Sequence, residues 1–115
     1  MATKLTPLQT VIKNSLIEMG LYREETQDSI TEWADNTFGR TTPRAAQDRA
    51  IKEMKEFENL ITKETIQDEA ADIVITLYRV AQEHQFDLLQ AVDLKMRINR
   101  ARTWKSNGDG TGQHE

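Results

Sequence analysis

Glu53 and Glu56 stand three residues apart in KEMKEFENLI, and Glu69 and Asp72 repeat that interval in DEAADIVITLYRVA. Residues three apart on an α-helix are neighbours on one face, so each pair can share a ligand. Two such pairs on adjacent antiparallel helices offer only hard oxygen donors, which suit Mg²⁺ or Mn²⁺ better than a soft-ligand zinc site. Carboxylates gathered in one place and withdrawn from water need cations, partners or protons, and a divalent metal is the simplest compensation. A third group, Lys95, Asn99 and Arg102, is spaced i, i+4 and i+7 and continues the face that begins with Leu88 and Val92. An apolar stripe that turns cationic is suited to an anion, with Lys and Arg matching phosphate by charge and directed hydrogen bonds and Asn99 donating between them. A metal-bound triphosphate reconciles the two groups: carboxylates hold metals, metals hold phosphate oxygens, and basic side chains take the remaining charge. Either carboxylate pair alone reads more readily as a solvated acidic face, and Lys95 and Arg102 equally well as partners of surface acids. The alternative of a different class is therefore a non-catalytic helical interaction module.

These residues need helices to position them. Thr6 and Pro7 form a cap-plus-proline signal, after which Leu8, Val11, Ile12, Leu16 and Met19 recur at helical spacing up to Gly20. Asp28 caps a second, shorter run carrying Ile30, Trp33 and Ala34 and ending near Phe38 and Gly39. Thr42 and Pro43 open a third helix through Asn59, with apolar positions at Ala46, Ala50, Met54, Phe57 and Ile61. At about 100° per residue its stripe centres near Ala50, and Glu53 falls inside it between Phe57 and Leu60, with Glu56 about 60° toward the edge. Thr65 and Asp68 resemble a capping box that opens a fourth helix to about His84. Its apolar arc, from Ile66 to Ala81, covers well over half the circumference and predicts burial on several sides. Its narrow polar face holds Glu69 and Asp72 with Asp68, Thr76 and Arg79. Asp87 caps a fifth helix reaching about Trp104, and SNGDGTGQHE reads as a mobile polar tail.

The expected fold is thus all-α, a four- to five-helix bundle over residues 1–105, followed by a flexible tail over 106–115. Composition agrees: of 115 residues, 37% are hydrophobic and 30% charged, with only 5 Gly and 2 Pro. The absence of Cys excludes disulfides and thiolate chemistry. The start of the chain lacks signal-peptide character and no stretch approaches the ~20 apolar residues of a membrane span, so the expected location is the cytoplasm, with no membrane partner. A net charge of −4 disfavours a nucleic-acid polymer as partner, whereas a single triphosphate needs only local cations.

The order KEMKEFENLI, DEAADIVITLYRVA, DLLQAVDLKMRINRARTW resembles the MazG-like all-α nucleoside triphosphate pyrophosphohydrolases, whose signature is ExxE followed by ExxD on the next helix. TEWADNTFG ahead of it resembles more narrowly the phage and bacterial dATP/dGTP branch, which includes MazZ-like enzymes. The resemblance covers roughly residues 30 to 105. It implies hydrolysis of a purine deoxynucleoside triphosphate, dGTP or dATP, to monophosphate and pyrophosphate by a metal-activated water. Glu53, Glu56, Glu69 and Asp72 match the family's metal positions, for two or more Mg²⁺ or Mn²⁺ ions per site. Glu53 and Glu56 are the candidates for direct catalytic work, with Glu53 the preferred general base. The resemblance also implies a homodimer or homotetramer, with the host cytoplasm as location if the source is viral. Either nucleotide-pool control or supply of monophosphate for a modified purine fits. The same chemistry on dUTP or dCTP is the alternative substrate reading. Many MazG-like proteins begin the first motif with two Glu residues, where this chain has Lys52 and Glu53. Trp33 and Asn36 are candidates for contact with the base, although a Trp on an amphipathic helix is more often core.

Overall fold

The computed structural model describes residues 3–115, so positions 1 and 2 of the expected domain lie outside the described residues. Among the described residues five helices follow one another: α1 (Pro7–Glu18), α2 (Gln27–Phe38), α3 (Pro43–Phe57), α4 (Lys63–Glu83) and α5 (Leu88–Ala101). A short hairpin of β1 (Trp104–Ser106) and β2 (Gly112–His114) ends the chain.

The helix starts are set by threonines and one aspartate. Thr6 accepts from the Gln9 amide in a full capping box, Thr42 accepts from Ala45, and Asp87 accepts from Gln90. Two caps differ from the sequence expectation. Thr26, not Asp28, opens α2 by exchanging hydrogen bonds with Ser29, which leaves Asp28 in the first turn where its charge meets the positive helix end. Thr62, not Thr65, opens α4; the Thr65 hydroxyl donates back to the Thr62 carbonyl, so the later threonine is consumed as support for the earlier one.

α4 is the central element. α3 packs along it antiparallel and α2 crosses its C-terminal half. Among the described residues, the buried apolar ones are four alanines, Ala34, Ala46, Ala50 and Ala81, whose small side chains let the three helix backbones close together. Gln27 ties the start of α2 to the end of α4 and the start of α5: its Nε2 donates to the Phe86 carbonyl at 2.8 Å and its Oε1 accepts from the Leu88 amide at 2.9 Å. His84 and Gln47 meet at 3.2 Å and close the far end of the α3–α4 pair.

α1 and α5 lie outside this three-helix unit. α1 buries no residue, and Leu8, Val11, Ile12 and Met19 along its stripe are all exposed. The radius of gyration is 17.7 Å, where a compact chain of this length has about 13 Å. The expected burial of α4 on several sides is met only where α2 and α3 cover it; Val74 remains 46% exposed.

α5 stops at Ala101, short of Trp104, because Arg102 turns extended and the Trp104 indole donates to the Asn99 carbonyl at 2.7 Å. The segment expected as a polar tail pairs Trp104 with His114 and Ser106 with Gly112. Its turn depends on Gly108 and Gly110 at φ of 88° and 90°.

Candidate metal centre

Glu53 owes its inward position to the repeat Ala46, Ala50, Glu53 on α3, all three of them buried against α4. On α4, Glu69 and Asp72 lie on the face turned toward α3. One carboxylate oxygen from each of Glu53, Glu69 and Asp72 lies within 4.8 Å of the others. Glu69 Oε2 is buried with no hydrogen-bond partner. Withdrawal from water, followed by the negative charges of Asp72, Glu53 and Glu56, pushes the Glu69 carboxyl above the usual glutamate range. An orphaned, buried carboxylate oxygen facing two further carboxylates is a donor set that fits a hard divalent cation. Glu56 sits one turn beyond Glu53 and is exposed. Its charge acts on Glu69, but its oxygens are not among the three that converge.

The centre adjoins a pocket of about 500 Å³ whose lining includes Glu53, Asp72, Trp33 and Phe38. That volume suits a small-molecule ligand. Trp33 and Phe38 meet edge to face at 5.4 Å and 86°, an aromatic wall in the same lining as Ile75 and Thr76 of α4. Arg79, seven residues after Asp72 on α4, also lines the pocket. Its Nη2 donates to Asp35 Oδ1 at 3.0 Å and to the Gly39 carbonyl, and Arg40 approaches the other Asp35 oxygen at 3.8 Å. This clamp fixes the corner between α2 and α3, where Gly39 adopts φ 88° and ψ 171°, a conformation open essentially to glycine alone.

The residues singled out from sequence separate into three places. Glu53, Glu69 and Asp72 converge, and Trp33 shares their pocket. Asn36 does not: it lines a shallower depression beside Asp35, Arg40 and Gln82, on another side of α2. Lys95, Asn99 and Arg102 do not line the pocket of this chain. Lys95 and Arg102 are exposed, Arg102 is the C-terminal cap of α5, and Asn99 Nδ2 turns to Met96 Sδ at 3.9 Å. Sequence reasoning missed Arg49, whose Nη2 donates to Glu53 Oε1. Its signal was present, since Arg49 and Glu53 are four residues apart on one helix. Arg79 was visible on the polar face of α4, but its grip on Asp35 joins positions 44 apart in the chain and has no local signature.

No protein-family model matches the chain, and no curated protein matches it. Among solved structures, the fold is similar to that of a MazG-like pyrophosphohydrolase of cyanophage S-2L bound to dGDP and three catalytic Mn²⁺ ions per active site. The two share 25% identity at a TM-score of 0.65, over 77% of this chain and 92% of the other. The all-α fold read from the sequence is therefore that of a MazG-like protein.

Proposed function

We propose that this chain is a metal-dependent nucleotide pyrophosphohydrolase that converts a purine deoxynucleoside triphosphate, dGTP or dATP, to its monophosphate and pyrophosphate. The observation that carries the proposal is the convergence of Glu53, Glu69 and Asp72, with an unpartnered buried oxygen on Glu69, beside a pocket whose lining includes Trp33 and Phe38. The similar fold of an enzyme bound to dGDP and Mn²⁺ supports both the metal class and the ligand class.

Glu53, Glu69 and Asp72 would hold the cations, with Glu56 as a further carboxylate at the rim. When bound, Mg²⁺ or Mn²⁺ supplies an activated water and neutralises charge on the phosphoryl group under attack. The protein's own share is positional. The α3–α4 pair fixes the carboxylates on two helices, and Glu53, the preferred general base, would take a proton from water. Trp33 and Phe38 offer an apolar face to a purine. No covalent nucleophile is needed, in keeping with a pocket lined by no Cys, Ser or His.

The active form is proposed to be a homodimer or homotetramer. The exposed stripes of α1 and α5, including Leu8, Val11, Leu89 and Val92, are the faces available for it, and the four-alanine core is small for a chain of this length. In that assembly Lys95, Asn99 and Arg102 would serve the phosphates of a neighbouring copy's pocket. Among the described residues, no helix is long and apolar enough to cross a membrane. A nucleotide substrate fits a cytoplasmic setting, that of the host if the source is viral.

The test is product analysis across the ribo- and deoxynucleoside triphosphates with Mg²⁺, Mn²⁺ or chelator. Metal-dependent release of monophosphate and pyrophosphate from one purine deoxynucleotide supports the reading. Equal turnover of pyrimidine nucleotides removes the purine assignment, and no turnover of any nucleotide removes the enzyme.

A further inference from the structure

Glu53 is the most deeply buried acidic group of the candidate centre, and its one ion-pair partner among the described residues is Arg49. Arg49 takes Glu53 Oε1, the residue that must also face the cation. The two demands conflict: a guanidinium and a divalent ion drawn to one carboxylate repel each other at short range. The Arg49 side chain is 55% exposed, so it can leave Glu53 without unpacking anything, and it already lines the pocket.

The pocket's second cation is not free in the same way. Arg79 is 17% exposed and holds Asp35 and the Gly39 carbonyl, so releasing it would undo the α2–α3 corner. A nucleotide triphosphate brought to the carboxylates adds charge beyond what the metals offset, and the exposed planar cation beside Glu53 in the pocket lining is Arg49.

We propose that Arg49 is an exchanging ligand: it neutralises Glu53 when the centre holds no cation, and it turns to the substrate's phosphate oxygens when a metal takes its place. This rests on the metal-dependent reading above and adds to it a residue and an order of events. Metal and phosphate are then coupled through one side chain. Metal entry frees Arg49, and phosphate gives the freed guanidinium a new partner, so each favours the other.

The experiment compares wild type with Arg49→Gln and Arg49→Lys, first titrating Mn²⁺ alone, then titrating inorganic tripolyphosphate at saturating Mn²⁺. Tripolyphosphate has no base, so recognition by Trp33 does not enter. Exchange predicts effects of opposite sign. Arg49→Gln binds Mn²⁺ about two- to fivefold more tightly, having lost a competing cation. It binds tripolyphosphate about tenfold or more weakly, and Arg49→Lys falls between in both titrations. A residue that merely fixes the Glu53 side chain would weaken Mn²⁺ when removed; that outcome, or unchanged tripolyphosphate affinity, overturns the proposal while wild-type Mn²⁺ binding and turnover leave the enzyme reading standing. Failure of wild type itself to bind Mn²⁺ overturns both.

Discussion

Arg79 Nη2 lies 3.0 Å from Asp35 Oδ1, a contact that joins the C-terminal half of α4 to the last turn of α2. Both side chains are mostly shielded, at 17% and 30% exposure, and the same Arg79 nitrogen also donates to the Gly39 carbonyl. The pair therefore sets where α2 ends and where the Trp33–Phe38 wall stands. Hydrogen bonds to charged groups contribute about 1.5–3 kcal/mol. Arg79→Met is expected to lower stability by about that amount in urea unfolding and to change Trp33 fluorescence in the folded state. Unaltered stability and fluorescence together would show that the corner is held by packing alone.

The aromatic wall yields a second expectation. Trp33 is 54% exposed although it sits on an amphipathic helix, and Phe38 meets it edge to face. An exposed indole beside a pocket is available to stack on a base, an interaction worth about 1–3 kcal/mol in single-stranded nucleic-acid binding. Trp33→Ala is expected to raise KM for the nucleotide about fivefold or more, with kcat and Mn²⁺ affinity little changed. A fall in kcat at constant KM would assign Trp33 to packing around the centre instead.

The inward position of Glu53 was legible because Ala46, Ala50 and Glu53 follow the helical period, and the Glu69–Asp72 pair was legible as a polar strip on an otherwise apolar helix. Periodicity says which residues share a face, but not which neighbour the face meets. That is why Lys95 and Asn99 share α5, with Arg102 just past its end, yet none of the three lines the pocket of this chain, since α5 departs from the three-helix unit at Leu88. Trp33 and Asn36 are three apart on α2, yet they line two different depressions. The terminal hairpin was obscured by composition, because the glycines that suggest a loose tail are also those that a tight turn requires.

The two carboxylates that close their motifs should behave differently. Both are exposed, but Asp72 converges with Glu53 and Glu69, whereas Glu56 is not among the converging carboxylates and acts on Glu69 through its charge. Asp72→Asn is expected to lose both Mn²⁺ affinity and turnover by about tenfold or more, and Glu56→Gln to lose turnover with a smaller change in Mn²⁺ affinity. Calorimetric Mn²⁺ titration alongside kcat separates them; equal loss of metal by both would place Glu56 among the direct ligands.

Glu69 makes the metal-free protein sensitive to pH in a definite direction. Its carboxyl is raised above the usual range by withdrawal from water and by the surrounding acids, so the folded chain binds that proton more tightly than the unfolded chain does. The resulting stability is fully present below the ordinary glutamate pKa and is lost as pH rises through the higher folded-state value. Above that point the ionised group opposes folding unless a cation compensates it. With chelator, wild type should therefore lose thermal stability as pH rises through this window, and Glu69→Gln should lose less and melt higher at neutral pH. With Mn²⁺ the order reverses, since metal binding needs the ionised carboxylate that the variant lacks. Melting curves with chelator and with Mn²⁺, each recorded across pH, test both halves. A Glu69→Gln protein that still gains wild-type stabilisation from Mn²⁺ would remove Glu69 from the centre.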